Sequence, residues 1–312
     1  MQNKSRHLIP LLPMFSFLFL ILSDYIDTLR PTNSRDAYLS FVILQLLAFV
    51  LPAIFFCKAK GENYIFRLKF RLFGLEKAVF LIFAVLVMVT SVTAVELLLR
   101  NFGITDGIYA HSEYMIYGHP LPQVGQNVYD SLYTMIVFAI LPALTEEFLF
   151  RSVLYTEYES LGAPATIILT ALLYSLFDKS AVAFIPSFFG GLLLGFSVYV
   201  TQSVFAPLII HIFYNLYSLF FEEYIWAFIA KPENEIFFIF ILITLLLISA
   251  VMMLSQAERV LYDKGIRGEP LPRYLDQKTG KIPHAFKSFL LALFSPAYIG
   301  CFVLFFLCVV RM

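Results

Sequence analysis

In the stretch ALTEEFLFRSVLY, Ala143–Tyr155, two carboxylates and a guanidinium interrupt a run of apolar residues. An α-helix turns about 100° per residue, so Glu146 and Glu147 leave it in different directions. Glu147 and Arg151, at i and i+4, share a face, with the acid on the N-terminal side as such pairs prefer. Glu146 is therefore a carboxylate that this arginine does not hold. Pro142, one turn earlier, removes a backbone hydrogen bond and opens the helix locally. Ionisable groups inside an apolar span line a pathway or a site, and one structural ion pair does not account for the second glutamate.

Two later apolar runs carry further polar groups. HIFYN sets His211 and Asn215 on one helical face, and YSLFD does the same for Tyr174 and Asp178. At a rise of ~1.5 Å per residue, Glu146 lies about 18 Å from the inner end of its helix near 158. On the same rise Asp178 lies about 22 Å from 163, His211 about 10 Å and Asn215 about 16 Å from 204. All four then fall within reach of one cavity at membrane depth. Glu146 suits a general base acting on water, and His211 with Asn215 suit hydrogen-bond donors to the oxyanion formed when water attacks a carbonyl. The chemistry is amide hydrolysis. A serine nucleophile is disfavoured, because no serine has a histidine at a helical spacing that would activate it.

The elements that must position these groups are read from composition. The chain has 312 residues, 60% hydrophobic and 14% charged, with mean hydropathy +0.81. A soluble domain carries about a quarter charged residues. The runs are apolar on every face and approach the ~20 residues a spanning helix needs, which excludes a spanning barrel. The expectation is an all-α polytopic membrane protein of about eight to nine transmembrane helices enclosing an intramembrane polar cavity. The spans fall at about 8–26, 37–57, 78–99, 128–158, 163–178, 181–201, 204–222, 235–255 and 289–310. The first is retained, since no small-x-small cleavage site follows it.

Lys and Arg concentrate in 58–77 and in 256–288, whereas 24–36, 100–127 and 223–234 are poor in them. With nine spans both rich segments face the cytoplasm, and so does the N-terminus. YIFRLKFRLF, Tyr64–Phe73, reads as an anchor on anionic lipid. Net charge is zero and no basic stripe with interleaved aromatics lies outside the spans, so no nucleic acid is expected. Cys57, Cys301 and Cys308 lack metal spacing and read as packing residues. Gly191 and Gly195 mark close helix packing. His111 and His119 fall in an external connection, and Trp226 in an interfacial belt.

The residues EEFLFR, followed by GGLLLGFSVYVTQSVFAPLIIHIFYN, resemble the two outer motifs of the CAAX protease and bacteriocin-processing (CPBP, or Abi) family of intramembrane endopeptidases. The resemblance covers about 128–222. It implies a CPBP-type helical bundle, with 1–127 as N-terminal helices, 128–223 as catalytic core and 224–312 as C-terminal helices. It also implies glutamate-dependent hydrolysis without a required cofactor: Glu146 as base, Glu147 and Arg151 as its support, His211 and Asn215 as oxyanion donors. The family's middle motif, Phe-x-x-x-His, is here Tyr174 and Asp178. Asp178 can share a proton with Glu146, end a helix at the interface of a weakened enzyme, or join Glu146 and His211 around a divalent metal.

The leading function is thus an intramembrane peptidase acting on a hydrophobic, lipidated or leader-peptide substrate. The alternative is a catalytically silent relative that serves as membrane scaffold or regulator. The compact spacing of the middle and last motifs resembles bacterial members, which places the chain in a bacterial plasma membrane with the site opening to the cytoplasm. The sequence sets no oligomeric state.

Overall fold

The computed structural model describes residues 9–23, 25–26, 34–104, 128–267 and 282–311. His111, His119 and part of the 256–288 connector lie outside the described residues. The described chain is helical, with no strand among the described residues. Five helices are long and apolar enough to cross a membrane: α2 (Tyr38–Lys60), α3 (Leu75–Asn101), α4 (Ser131–Leu161), α6 (Ala181–Thr201) and α9 (Pro232–Ile266). Two bent pairs pass the same test, α7 (Phe205–Phe220) with α8 (Glu222–Ile229) at 54°, and α10 (Phe286–Leu293) with α11 (Pro296–Val310) at 51°. Two shorter apolar helices, α1 (Leu11–Ser23) and α5 (Ala163–Asp178), complete the set.

The count of full spans is therefore five to seven, against the eight to nine expected. All nine apolar runs do form helices. The reason for the difference is length: at ~1.5 Å per residue α1 and α5 reach only about 20 and 24 Å, short of a ~30 Å hydrocarbon core.

The core is shared among the segments that the sequence divides into three. One apolar cluster joins Phe17 and Phe49 to Phe150, Leu173 and Tyr298, and the Tyr298 hydroxyl donates to the Leu169 carbonyl at 2.8 Å. Trp226 is buried, its Nε1 donating to Glu222 at 3.2 Å, rather than standing in an interfacial belt. Helices α5 and α6 approach closely. A Cβ on Gly191 would sit 3.0 Å from both the Cα and the Cβ of Ala171, so backbone meets backbone there as the small-residue spacing predicts. Gly191→Val is expected to destabilise the protein by about 1–3 kcal/mol through overpacking, read as a lower unfolding midpoint of the purified protein. An unchanged midpoint would refute the close packing.

Candidate active site

Helix α4 carries the glutamates and is irregular on both sides of them. Wide π-type turns occupy Met135–Ile140 and Phe148–Leu154, flanking a regular segment Leu141–Glu147 with Pro142 near its start. Such π turns collect at functional sites, because they rotate the residues beyond them out of the 3.6-residue register. Helix α7 packs across this stretch and brings His211 to the glutamates.

The imidazole stands between the two acids. His211 Nδ1 donates to Glu147 Oε1 at 2.9 Å, while its Nε2 lies 4.0 Å from Glu146 Oε2. Arg151 Nη1 lies 3.2 Å from the same Glu147 Oε1, so the expected i,i+4 pair forms. The two glutamates are not separate in place, however: one ring bonds Glu147 and faces Glu146 across 4.0 Å. Glu147, Arg151 and His211 are buried, and Glu146 is only 5% exposed.

Tyr174 completes the cluster. Its hydroxyl lies 3.4 Å from His211 Nε2, and the Arg151 guanidinium lies over its ring at 4.3 Å. The sequence pairs Tyr174 with Asp178 on one helical face but assigns its hydroxyl no role. The signal that could have found it is the hydroxyl itself, one helical turn before Asp178 at membrane depth. Arg151 Nε and Nη2 and Glu147 Oε2 have no hydrogen-bond partner in the protein. The cluster thus keeps donor and acceptor capacity for a polar ligand.

Two expected site residues are placed differently. Asn215 donates its Nδ2 to the Ala139 carbonyl at 3.1 Å, tying α7 to the first π turn, where regular helical pairing is interrupted. Asp178 ends α5 in a 3₁₀ turn before Lys179, which has φ +56°, and it accepts a hydrogen bond from the Ser187 hydroxyl on α6. Glu146, Asp178 and His211 do not form a three-ligand metal group; among the described residues no three His, Cys, Asp or Glu side chains do. The three cysteines are unbridged, with Cys301 buried and Cys57 and Cys308 half-buried.

A bundle of apolar helices enclosing a buried acid–imidazole–guanidinium cluster defines a multi-pass membrane protein with a polar site in its core. Residues 129–217 match the family model of the Rce1-like type II CAAX prenyl endopeptidases. This match bears out, over those residues and at family level, the resemblance to CAAX-type membrane proteases that the same stretch carries in the sequence. No curated protein and no solved structure matches the chain.

Proposed function

We propose that the protein is an intramembrane endopeptidase in which Glu146 activates water for attack on a peptide carbonyl. The observation that supports this best is the 4.0 Å separation of Glu146 Oε2 and His211 Nε2. A water about 2.8 Å from each atom spans that gap with an angle of roughly 90° at its oxygen, a hydrogen-bonding arrangement water readily adopts. Glu146 takes a proton as the water oxygen bonds to the carbonyl carbon, and the carbonyl electron pair moves onto oxygen. Collapse of the tetrahedral adduct expels the amine, which receives that proton from Glu146.

The tautomer of His211 changes the role first expected of it. In the proposed arrangement Glu147, paired with Arg151, accepts from Nδ1, and Nε2 is the ring nitrogen that faces the water. Nε2 then accepts from the water, and the Tyr174 hydroxyl is the neutral donor available to the oxyanion, aided by the positive charge of Arg151. Asn215 acts by positioning α7. The proposed substrate is a hydrophobic, lipidated or leader peptide presented from the bilayer.

We further propose a bacterial plasma membrane location, with the N-terminus and the site's opening cytoplasmic. The gathering of basic residues at one end supports the orientation: Lys60 pairs with Glu157 and Lys69 with Glu159, each at 2.7 Å. The bond from Ser187 to Asp178 favours a second reading, a weakened enzyme acting as scaffold, because it gives Asp178 a structural task.

Purified protein in liposomes, offered a prenylated C-terminal peptide, the same peptide unprenylated and a leader peptide, is expected to cleave at least one of them. Asp178→Asn, which can still accept from Ser187, is expected to keep most of the rate and the same pH profile. A profile displaced by that change would instead make Asp178 a proton-sharing partner of Glu146. No cleavage of any peptide by the wild type would leave the scaffold reading standing.

A further inference from the structure

At the basic end of the bundle a cavity of about 630 Å³ opens where α3 begins, α6 ends and the last turns of α9 pass between them. Five cations line it, Arg71, Lys77, Arg259, Lys264 and Arg267, against two carboxylates, Glu76 and Asp263. None of Glu146, Glu147, Arg151, Tyr174 or His211 takes part. Lys264 is buried, and its Nζ donates to the Val200 carbonyl at 2.9 Å, so one charge is fixed at the cavity wall. Lys60 and Lys69, on the same end, are engaged by glutamates. Arg71, Lys77, Arg259 and Arg267 make no ion pair among the described residues.

The rim of the cavity is apolar and open. Leu72 is 87% exposed and Leu75 90% exposed, with Val79 beside them also exposed. A soluble anion gains nothing from such a rim, whereas an amphiphile does. Depth agrees with this. Helix α9 has 35 residues, about 52 Å at ~1.5 Å per residue, against ~30 Å of hydrocarbon. Its last turns therefore stand at the level of the headgroups.

The backbone around the cavity is held. The Val204 N–H donates to the Lys69 carbonyl at 3.0 Å, the Ser203 hydroxyl donates to the Arg71 carbonyl, and Lys69 Nζ also donates to Gln202 at 2.7 Å. The segment Tyr64–Phe73 is thus more than a surface anchor, since it straps the junction of α6 and α7 and presents Arg71 to the cavity. Guanidinium groups match the paired oxygens of a phosphate, and basic pockets between helices on the cytoplasmic side hold anionic headgroups.

We infer that this cavity is a binding site for the phosphate headgroup of an anionic phospholipid, with the acyl chains running down past Leu72, Leu75 and Val79. The site is separate from the proposed peptidase chemistry, and its test reads binding alone.

The full-length protein in detergent is titrated with phosphatidylglycerol, with phosphatidylcholine of the same chains and with inorganic phosphate, and bound species are counted by native mass spectrometry. Phosphatidylglycerol is expected to bind in preference to phosphatidylcholine, with inorganic phosphate binding weakly. Arg71→Gln with Arg259→Gln, both at exposed side chains, is expected to weaken phosphatidylglycerol binding about 10- to 30-fold. Lys58→Gln, which removes a charge from the same end outside the cavity, is expected to leave it unchanged. Equal binding by the wild type and the double variant would overturn the site, and so would an equal loss with Lys58→Gln, which marks diffuse attraction. Inorganic phosphate binding as tightly as the lipid would overturn the lipid assignment. An unfolding midpoint shared by all variants guards the comparison, and Arg267→Gln alone, expected to weaken binding in the same direction, replaces the double variant where that one melts early.

Discussion

Glu146→Gln is expected to lower the rate of peptide cleavage by about 10²- to 10⁴-fold, the usual worth of a general base. The substitution keeps the size and shape of the side chain and removes its ability to take a proton. Glu146 is buried beside His211 Nε2 at 4.0 Å, and an amide at that distance can still hold a water without activating it. The loss should therefore appear in kcat, with KM nearly unchanged, because binding of the peptide does not depend on that proton. The neighbouring Glu147→Gln should behave differently. Glu147 holds Nδ1 of His211 at 2.9 Å and Arg151 at 3.2 Å, so its loss disturbs the folded site as well as the rate. Comparing unfolding midpoints alongside kcat separates the two: Glu146→Gln should melt like the wild type and Glu147→Gln should not. A Glu146→Gln protein that cleaves at the wild-type rate would remove the proposed chemistry, and a wild-type growth phenotype with that variant would point to the scaffold.

Much of this site is legible in the sequence because helical spacing is local. Glu147 with Arg151 at i,i+4 needs only the helical period, and the pair forms. What happens between helices is not contained in that period. The spacing sets Glu146 and Glu147 about 100° apart, which reads as one held acid and one separate acid. The fold instead inserts an imidazole whose two nitrogens face the two carboxylates. The π turns at 135–140 and 148–154 are invisible to a 3.6-residue template, since they change the register without changing composition. For the same reason the partner of Asn215, the Ala139 carbonyl, could not be read. Tyr174 and Asp178 share a face, yet the hydroxyl goes to His211 and the carboxylate to Ser187. Apolar runs identify helices well. They do not reveal the bends near Phe221 and Ser295, where the two halves of each bent pair meet.

Arg151→Met should be the most destabilising change at the site. The guanidinium is fully buried, paired with Glu147 and laid on the Tyr174 ring at 4.3 Å. Removing it leaves Glu147, itself 1% exposed, with His211 as the partner that remains. A buried pair broken on one side loses about 3–5 kcal/mol, because the surviving charge is uncompensated. The loss of the cation over the Tyr174 ring adds to this in the same direction. Removing both charges tests the cause. In Glu147→Gln with Arg151→Met no unpaired ion remains, and the Gln oxygen can still accept from His211 Nδ1, so the double variant should recover more than half of the lost stability. Arg151→Lys should fall between, since it keeps the charge and loses the flat contact with the ring. Denaturant unfolding of the wild type, Glu147→Gln, Arg151→Met and the double variant reads the coupling directly. A double variant no more stable than Arg151→Met would mean that arginine acts here by volume and stacking, and that the charge on Glu147 is of no consequence to the fold.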